Sequence, residues 1–163
     1  MALDQETTLA ARVDALESRD EIHRLVSNYC HGCDKHDIDR FMSIWHEDAV
    51  WEIGPPYGDF AGSARIRHAM VDLIWTALPE THHWTTNLVV DLDGDRAGGL
   101  CDVTCDAIDA EGRTLLIAAT YTDAYERRDG TWRIARRGCE IFYFTPVVVA
   151  GADGTPTIEE GGG

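Results

Sequence analysis

Asp34 and the His82-His83 pair are the residues of this chain best suited to acid–base chemistry. Imidazole changes charge near neutral pH, and a carboxylate on one ring nitrogen fixes its tautomer and raises the basicity of the other. His82-His83-Trp84 opens an expected strand, and alternation sends the two histidines to opposite faces, so one points inward. Alone, an inward histidine is ordinarily a satisfied core residue; paired with a buried carboxylate it becomes a base. Asp34 follows an apolar stripe at an expected helix C-terminus, where the dipole disfavours negative charge. A partner accounts for it, as does a solvated position at a frayed end. Tyr29 lies five residues earlier, about 140° around the same helix, either as a hydroxyl donor to the same cavity or as a core residue. In strand register Arg137 shares a side with Cys139, Ile141 and Tyr143. A charge there is costly in a dry core, so this face lines a pocket that needs a cation, or Arg137 turns to solvent or onto a carboxylate.

Cys30-His31-Gly32-Cys33 has the spacing of a zinc half-site or a redox pair, with His36 close behind. Cys101 and Cys105 share a strand face and are available as further ligands, but small core fillers explain them more simply. The motif also ends a helix, not the N-terminus that would acidify a thiol. The expectation is no metal and no cofactor. No phosphate-binding glycine loop, nucleophile elbow or dinucleotide fingerprint is present. The five cysteines are odd in number and scattered, which suits a reducing cytoplasm better than a disulfide framework.

Several elements must position these residues. The 163 residues suggest one domain over 1–150 followed by a flexible Gly/Asp/Glu-rich tail, 151–163. Lys and Arg total 14 against 29 Asp and Glu, for a net charge of −15. Such a surface repels nucleic acid and anionic lipid, leaving a small molecule as the expected partner. Neither a signal peptide nor a membrane-spanning stretch is legible, so the expected location is cytoplasmic. Leu9, Val13 and Leu16 predict a short helix over 2–17. The capping box Ser18-Arg-Asp-Glu21 then predicts a second helix, Arg19 to Lys35. Asp37 caps a third, Ile38 to Trp45, and Ser63 a fourth, Ala64 to Ala77. Strands are expected at Ala49 to Ile53, 82–91 and 97–109. A hairpin over 114–146 turns at Arg128-Asp129-Gly130, and Leu115, Ile117, Ala119 and Tyr121 share a face of its first strand. Helices followed by about four long antiparallel strands make an α+β fold, a curved antiparallel sheet over N-terminal helices.

Ser43-Ile-Trp-His-Glu-Asp-Ala-Val-Trp51, His83-Trp-Thr-Thr-Asn-Leu88, Leu116-Ile-Ala-Ala119 and Tyr125-Glu-Arg-Arg-Asp-Gly-Thr-Trp132, running on to Tyr143-Phe-Thr-Pro146, carry a family resemblance. Across about residues 15–146 the chain resembles the SnoaL-like branch of the NTF2-like superfamily. It is most similar to its hexachlorocyclohexane dehydrochlorinases, and more distantly to scytalone dehydratase and bile acid 7α-dehydratase. The resemblance implies a cone-shaped α+β barrel with the site inside, and a homo-oligomer, trimer or dimer. It implies a cofactor-independent lyase, with His83 as base, Asp34 as its orienting carboxylate and Arg137 as the pocket arginine. It places Trp51, Val103, Cys105, Ile117, Ala119, Tyr121, Cys139, Ile141 and Tyr143 around the substrate. Where the dehydrochlorinases carry a lysine this chain has Tyr29, as the dehydratases have a tyrosine in that region. A lysine suits a departing chloride; a phenol suits a departing oxygen or a polarised carbonyl. The wall positions also read as more polar, which moves weight toward dehydration. An isomerase or cyclase using the same two residues, and a non-catalytic binding module, are the alternatives.

Overall fold

The computed structural model describes residues 8–147; the expected tail and residues 2–7 of the expected first helix lie outside them. One helix stands where two were expected. α1 (Leu9–Asp34) is unbroken, and the Thr8 hydroxyl accepts from the Ala11 N–H at its start. No Gly or Pro interrupts residues 9–31, so the Ser18 capping pattern has no break to cap. Ser18 is instead buried mid-helix. Arg127 crosses over it, donating to Asp14 and Asp95 at 2.7 Å and to the Ser18 hydroxyl at 3.4 Å. Only the second half of α1 enters the core, through Ile22, Leu25, Val26, Tyr29, Cys30 and Cys33 at helical spacing. The helix ends as His36 takes a left-handed φ of 52° and the Asp37 N–H bonds back to the Gly32 carbonyl. Gly32 is needed there, since a Cβ would lie 2.8 Å from the backbone of Phe41. Asp37 then caps α2 (Ile38–Ser43), accepting from the Arg40 N–H.

Six strands form one sheet in the order β2-β1-β6-β5-β4-β3. They are β1 (Trp45–Gly54), β2 (Gly58–Ala61), β3 (Glu80–Asp93), β4 (Arg96–Ile108), β5 (Thr114–Arg128) and β6 (Thr131–Pro146). β1 runs parallel to β6, so the sheet is mixed and not wholly antiparallel as expected. β3 to β6 form an antiparallel meander. Its last turn, Asp129-Gly130, has positive φ at both residues, the twist that a two-residue hairpin requires. Between β2 and β3, α3 (Ser63–His68) passes through a π-helical turn, Ala69–Ile74, into α4 (Trp75–Ala77). Gly62 occupies the cap position expected of Ser63, whose hydroxyl donates to Glu47.

Two bulges decide which residues of β6 face the helices. Tyr125 pairs with Ile134 but Ala124 with Arg136, which leaves Ala135 extra; Ala119 pairs with Ile141 but Ala118 with Tyr143, which leaves Phe142 extra. Each extra residue bends the strand and reverses the alternation beyond it. The inward series is therefore Trp132 and Ile134, then Arg137, Cys139 and Ile141, then Phe144. Tyr143, expected on the pocket wall, turns outward and is 46% exposed. The bent, unclosed sheet curves around α1 as a half-open cone. Trp132, Tyr125, Phe41, Ile22 and Ile134 are almost wholly buried. Each such apolar side chain contributes about 1.5–3 kcal/mol, against about 0–1 kcal/mol for an exposed ion pair, so the core holds the cone together. Among the described residues no helix is long and apolar enough to cross a membrane.

Candidate active site

Asp34, the last residue of α1, meets β3. His83 Nδ1 lies 2.5 Å from Asp34 Oδ1, and the His83 backbone N–H donates to Oδ2 at 2.9 Å. The Thr81 hydroxyl donates to Oδ1 at 2.8 Å. The Asp34 and His83 side chains are 10% and 11% exposed. Burial opposes the carboxylate charge, but the hydrogen bonds and charge of His83, with the Thr81 hydroxyl, outweigh it and hold the Asp34 carboxyl below its ordinary range. An ionised carboxylate can only accept, so Nδ1 carries a proton. In the neutral ring Nε2 is then the nitrogen with a free lone pair. Of the two alternating histidines, His83 is the inward one; His82 is exposed and bonds to Glu80.

His83 lies on the wall of a cavity of about 100 Å³ between helices and sheet. Trp51 from β1, Val103 and Cys105 from β4, Ile117, Ala119 and Tyr121 from β5, and Cys139 and Ile141 from β6 line it, as does Tyr29. Of the expected wall positions only Tyr143 is missing, and Phe144 takes its place. The surface of the cavity is almost wholly carbon and sulfur, so the more polar lining expected is not found. Burial pushes the Cys105 thiol up to about 12 and Cys139 to about 11, so both are neutral wall atoms at physiological pH. Cys30 and Cys33 part company. Cys33 lines the cavity, whereas the Cys30 sulfur faces the Thr85 hydroxyl. Among the described residues no three His, Cys, Asp or Glu side chains converge as a metal-ligand group.

Tyr29 stands edge-on to His83, with ring centroids 5.9 Å apart, and to Tyr121 at 5.5 Å. Burial raises both phenols well above their ordinary range, so each keeps its proton and is a hydrogen-bond donor. Arg137 is not on the cavity wall. Its guanidinium packs against the faces of Tyr29 and Tyr121, 4.3 and 4.2 Å from the centroids. It is fully buried and bonded through two nitrogens to Asp123, at 2.8 and 2.7 Å. Asp123 also accepts from the Tyr125 hydroxyl at 2.6 Å. Burial disfavours the guanidinium charge, but the Asp123 carboxylate more than offsets this and keeps it protonated. Of the two readings open for Arg137, the carboxylate partner is the one found: Arg137 points inward but lies behind Tyr29 and Tyr121, which line the cavity in its place, so it is not the pocket-lining cation expected.

Sequence reasoning missed Thr81, Tyr57 and Trp75, all on the cavity wall, and the carboxylate of Asp123. Thr81 was within reach, because it precedes His83 by two residues on one strand face. Tyr57 belongs to the Gly54–Gly58 loop, whose path no periodicity describes. Trp75 is placed by the π-helical turn, which shifts the helical register that the sequence pattern assumes.

Residues 14–138 match the family model of the SnoaL-like domain. Hexachlorocyclohexane dehydrochlorinase 1 of Sphingobium indicum strain B90A is 38% identical over 138 residues, 83% of this chain and 88% of that one. The crystal structure of a hexachlorocyclohexane dehydrochlorinase (LinA) type 2 superposes with a TM-score of 0.81 at 34% identity, covering 92% of this chain and 99% of that one. A Novosphingobium aromaticivorans protein proposed to be a scytalone dehydratase shares the fold alone, with a TM-score of 0.73 at 20% identity over 87% of this chain and 94% of that one. By the span of the family match and the identity to these relatives, the chain belongs to the SnoaL-like domain family, close to the hexachlorocyclohexane dehydrochlorinases.

Proposed function

We propose that this chain is a cofactor-independent lyase that carries out base-catalysed elimination, dehydration or dehydrohalogenation, on a small hydrophobic cyclic substrate. The observation that carries the reading is the Asp34–His83 pair on the wall of an apolar cavity. Homology to the dehydrochlorinases, carbon–halide lyases, supports it. His83 Nε2 takes a proton from carbon, the C–H electron pair becomes the new C=C bond, and the leaving group departs with its own pair. Asp34 stabilises the imidazolium that forms. The Tyr29 hydroxyl donates a hydrogen bond to the departing atom. A departing hydroxide takes the abstracted proton from the imidazolium and leaves as water; a halide leaves as the anion, and the imidazolium passes its proton to solvent. Arg137 acts at one remove, its charge set against the Tyr29 and Tyr121 rings. Water is the favoured leaving group, because a neutral phenol is the donor the site offers. The family relationship also supports a homo-oligomer, trimer or dimer, and the exposed Trp84 and Phe142 offer apolar surface for it.

The test is turnover of hexachlorocyclohexane and of a cyclic β-hydroxyketone, with products weighed by mass spectrometry. Loss of HCl or of water is expected from elimination, whereas an unchanged mass marks isomerisation. His83→Ala and Asp34→Asn each abolish turnover in protein that still folds. Full activity of either variant on a confirmed substrate refutes the assignment.

A further inference from the structure

We propose that Thr81 is a positioning residue of this site, its hydroxyl pinning the Asp34 carboxylate in the rotation that serves His83. Asp34 is the last residue of α1, where the dipole works against a negative charge. The outer torsion of an aspartate is also broad, so its helix alone does not orient the carboxylate. β3 supplies what α1 cannot. The His83 backbone N–H holds Oδ2 at 2.9 Å and the Thr81 hydroxyl holds Oδ1 at 2.8 Å, so each oxygen has a donor that is independent of the imidazole. The imidazole then meets Oδ1 at 2.5 Å.

Thr81 and His83 are two residues apart on β3, opposite Ala107 and Cys105 of β4, and so share one face. Thr81 is 5% exposed, which shields its hydroxyl from competing water, and its branched Cβ restricts the hydroxyl to few directions. Because its proton is committed to an obligate acceptor, the hydroxyl presents only lone pairs elsewhere. A structural filler at this position needs no hydroxyl at all; this one is spent on the group that fixes the tautomer of His83.

The inference rests on the lyase reading for its consequence in catalysis, but its test does not need a substrate. The short His83 Nδ1–H bond gives a strongly deshielded proton resonance, assigned by its loss in His83→Asn, and the imidazole ¹⁵N shifts report the tautomer. In Thr81→Val the proton resonance moves upfield or broadens and both tautomers become populated. Thr81→Ser restores the single tautomer. Thr81→Ala gives the same readout as the valine variant if that variant does not fold. On a confirmed substrate, loss of the hydroxyl lowers kcat by about tenfold or more with KM changed less than about twofold. A wild-type proton resonance and a single tautomer in Thr81→Val or Thr81→Ala overturn the proposal whatever the variant does to the melt. So does a serine variant that fails to restore them. If the signatures change as stated but His83→Ala leaves turnover intact, the lyase reading falls and the positioning role stands.

Discussion

Asp123→Asn removes the one carboxylate that, among the described residues, bonds the guanidinium of Arg137, which has no route to solvent. Both side chains of the Arg137–Asp123 pair are fully buried. The variant weakens two charge-assisted hydrogen bonds and the one from Tyr125 together, and Arg137 cannot shed its proton in response. Breaking a buried pair from one side costs about 3–5 kcal/mol. The two flanking rings recover little of this, since a desolvated cation–π contact is worth about 2 kcal/mol and both contacts exist before the change. In a chain of this size about 2–4 °C of melting temperature is lost per kcal/mol, so the expected fall is about 6–20 °C by calorimetry or circular dichroism. The paired change Asp123→Leu with Arg137→Met, made together with Tyr125→Phe so that no buried hydroxyl loses its acceptor, removes both charges and restores stability to wild-type level or above. That contrast separates an uncompensated charge from lost packing. A single variant that melts within about 2 °C of wild type, or a triple variant no more stable than the single, refutes the account of Arg137 as a buried, singly neutralised cation.

Two further outcomes follow from the same geometry. Asp34 has its folded-state value depressed, so its contribution to stability is fully present above the unfolded value of about 3.9 and is lost as pH falls through the lower folded value. Urea midpoints measured downward from about pH 5 should therefore fall less steeply in Asp34→Asn than in wild type; parallel curves exclude the depression. Phe144 lines the cavity and Tyr143 does not, so Phe144→Ala should weaken binding of a neutral cyclic probe, read by the fluorescence of Trp51 and Trp75, while Tyr143→Ala leaves it unchanged. Equal effects of the two variants contradict the inward series of β6.

The elements most legible in the sequence were those whose signal is local, and the errors lie where one residue shifts a count. The hairpin, its Asp129-Gly130 turn and the shared face of Leu115, Ile117, Ala119 and Tyr121 follow from turn chemistry and alternation. Asp34 stood out, because a carboxylate at the unfavourable end of a helix asks for a partner, but alternation left open which of His82 and His83 points inward, and only the family resemblance singled out His83. The division of α1 failed because Ser-x-x-Glu fits a helix interior as well as a start. Arg137 shows the limit best. Counted back from Asp129-Gly130, the hairpin pairs Arg128 with Thr131 and Tyr125 with Ile134. Continued without interruption, that count sets Asp123 opposite Arg136 and puts the even-numbered residues of β6 inside. The extra residue at Ala135 moves the register by one, so that Asp123 meets Arg137, while Arg136 goes out to pair with Glu52. The second extra residue, Phe142, moves it again and exchanges Tyr143 for Phe144 on the cavity wall. Nothing in the composition around Ala135 or Phe142 marks either insertion, because a bulge is chosen by the curvature the sheet needs to close over α1. Which member of the Arg136-Arg137 doublet becomes the buried cation is therefore settled by packing between distant elements, and the side chains themselves are identical.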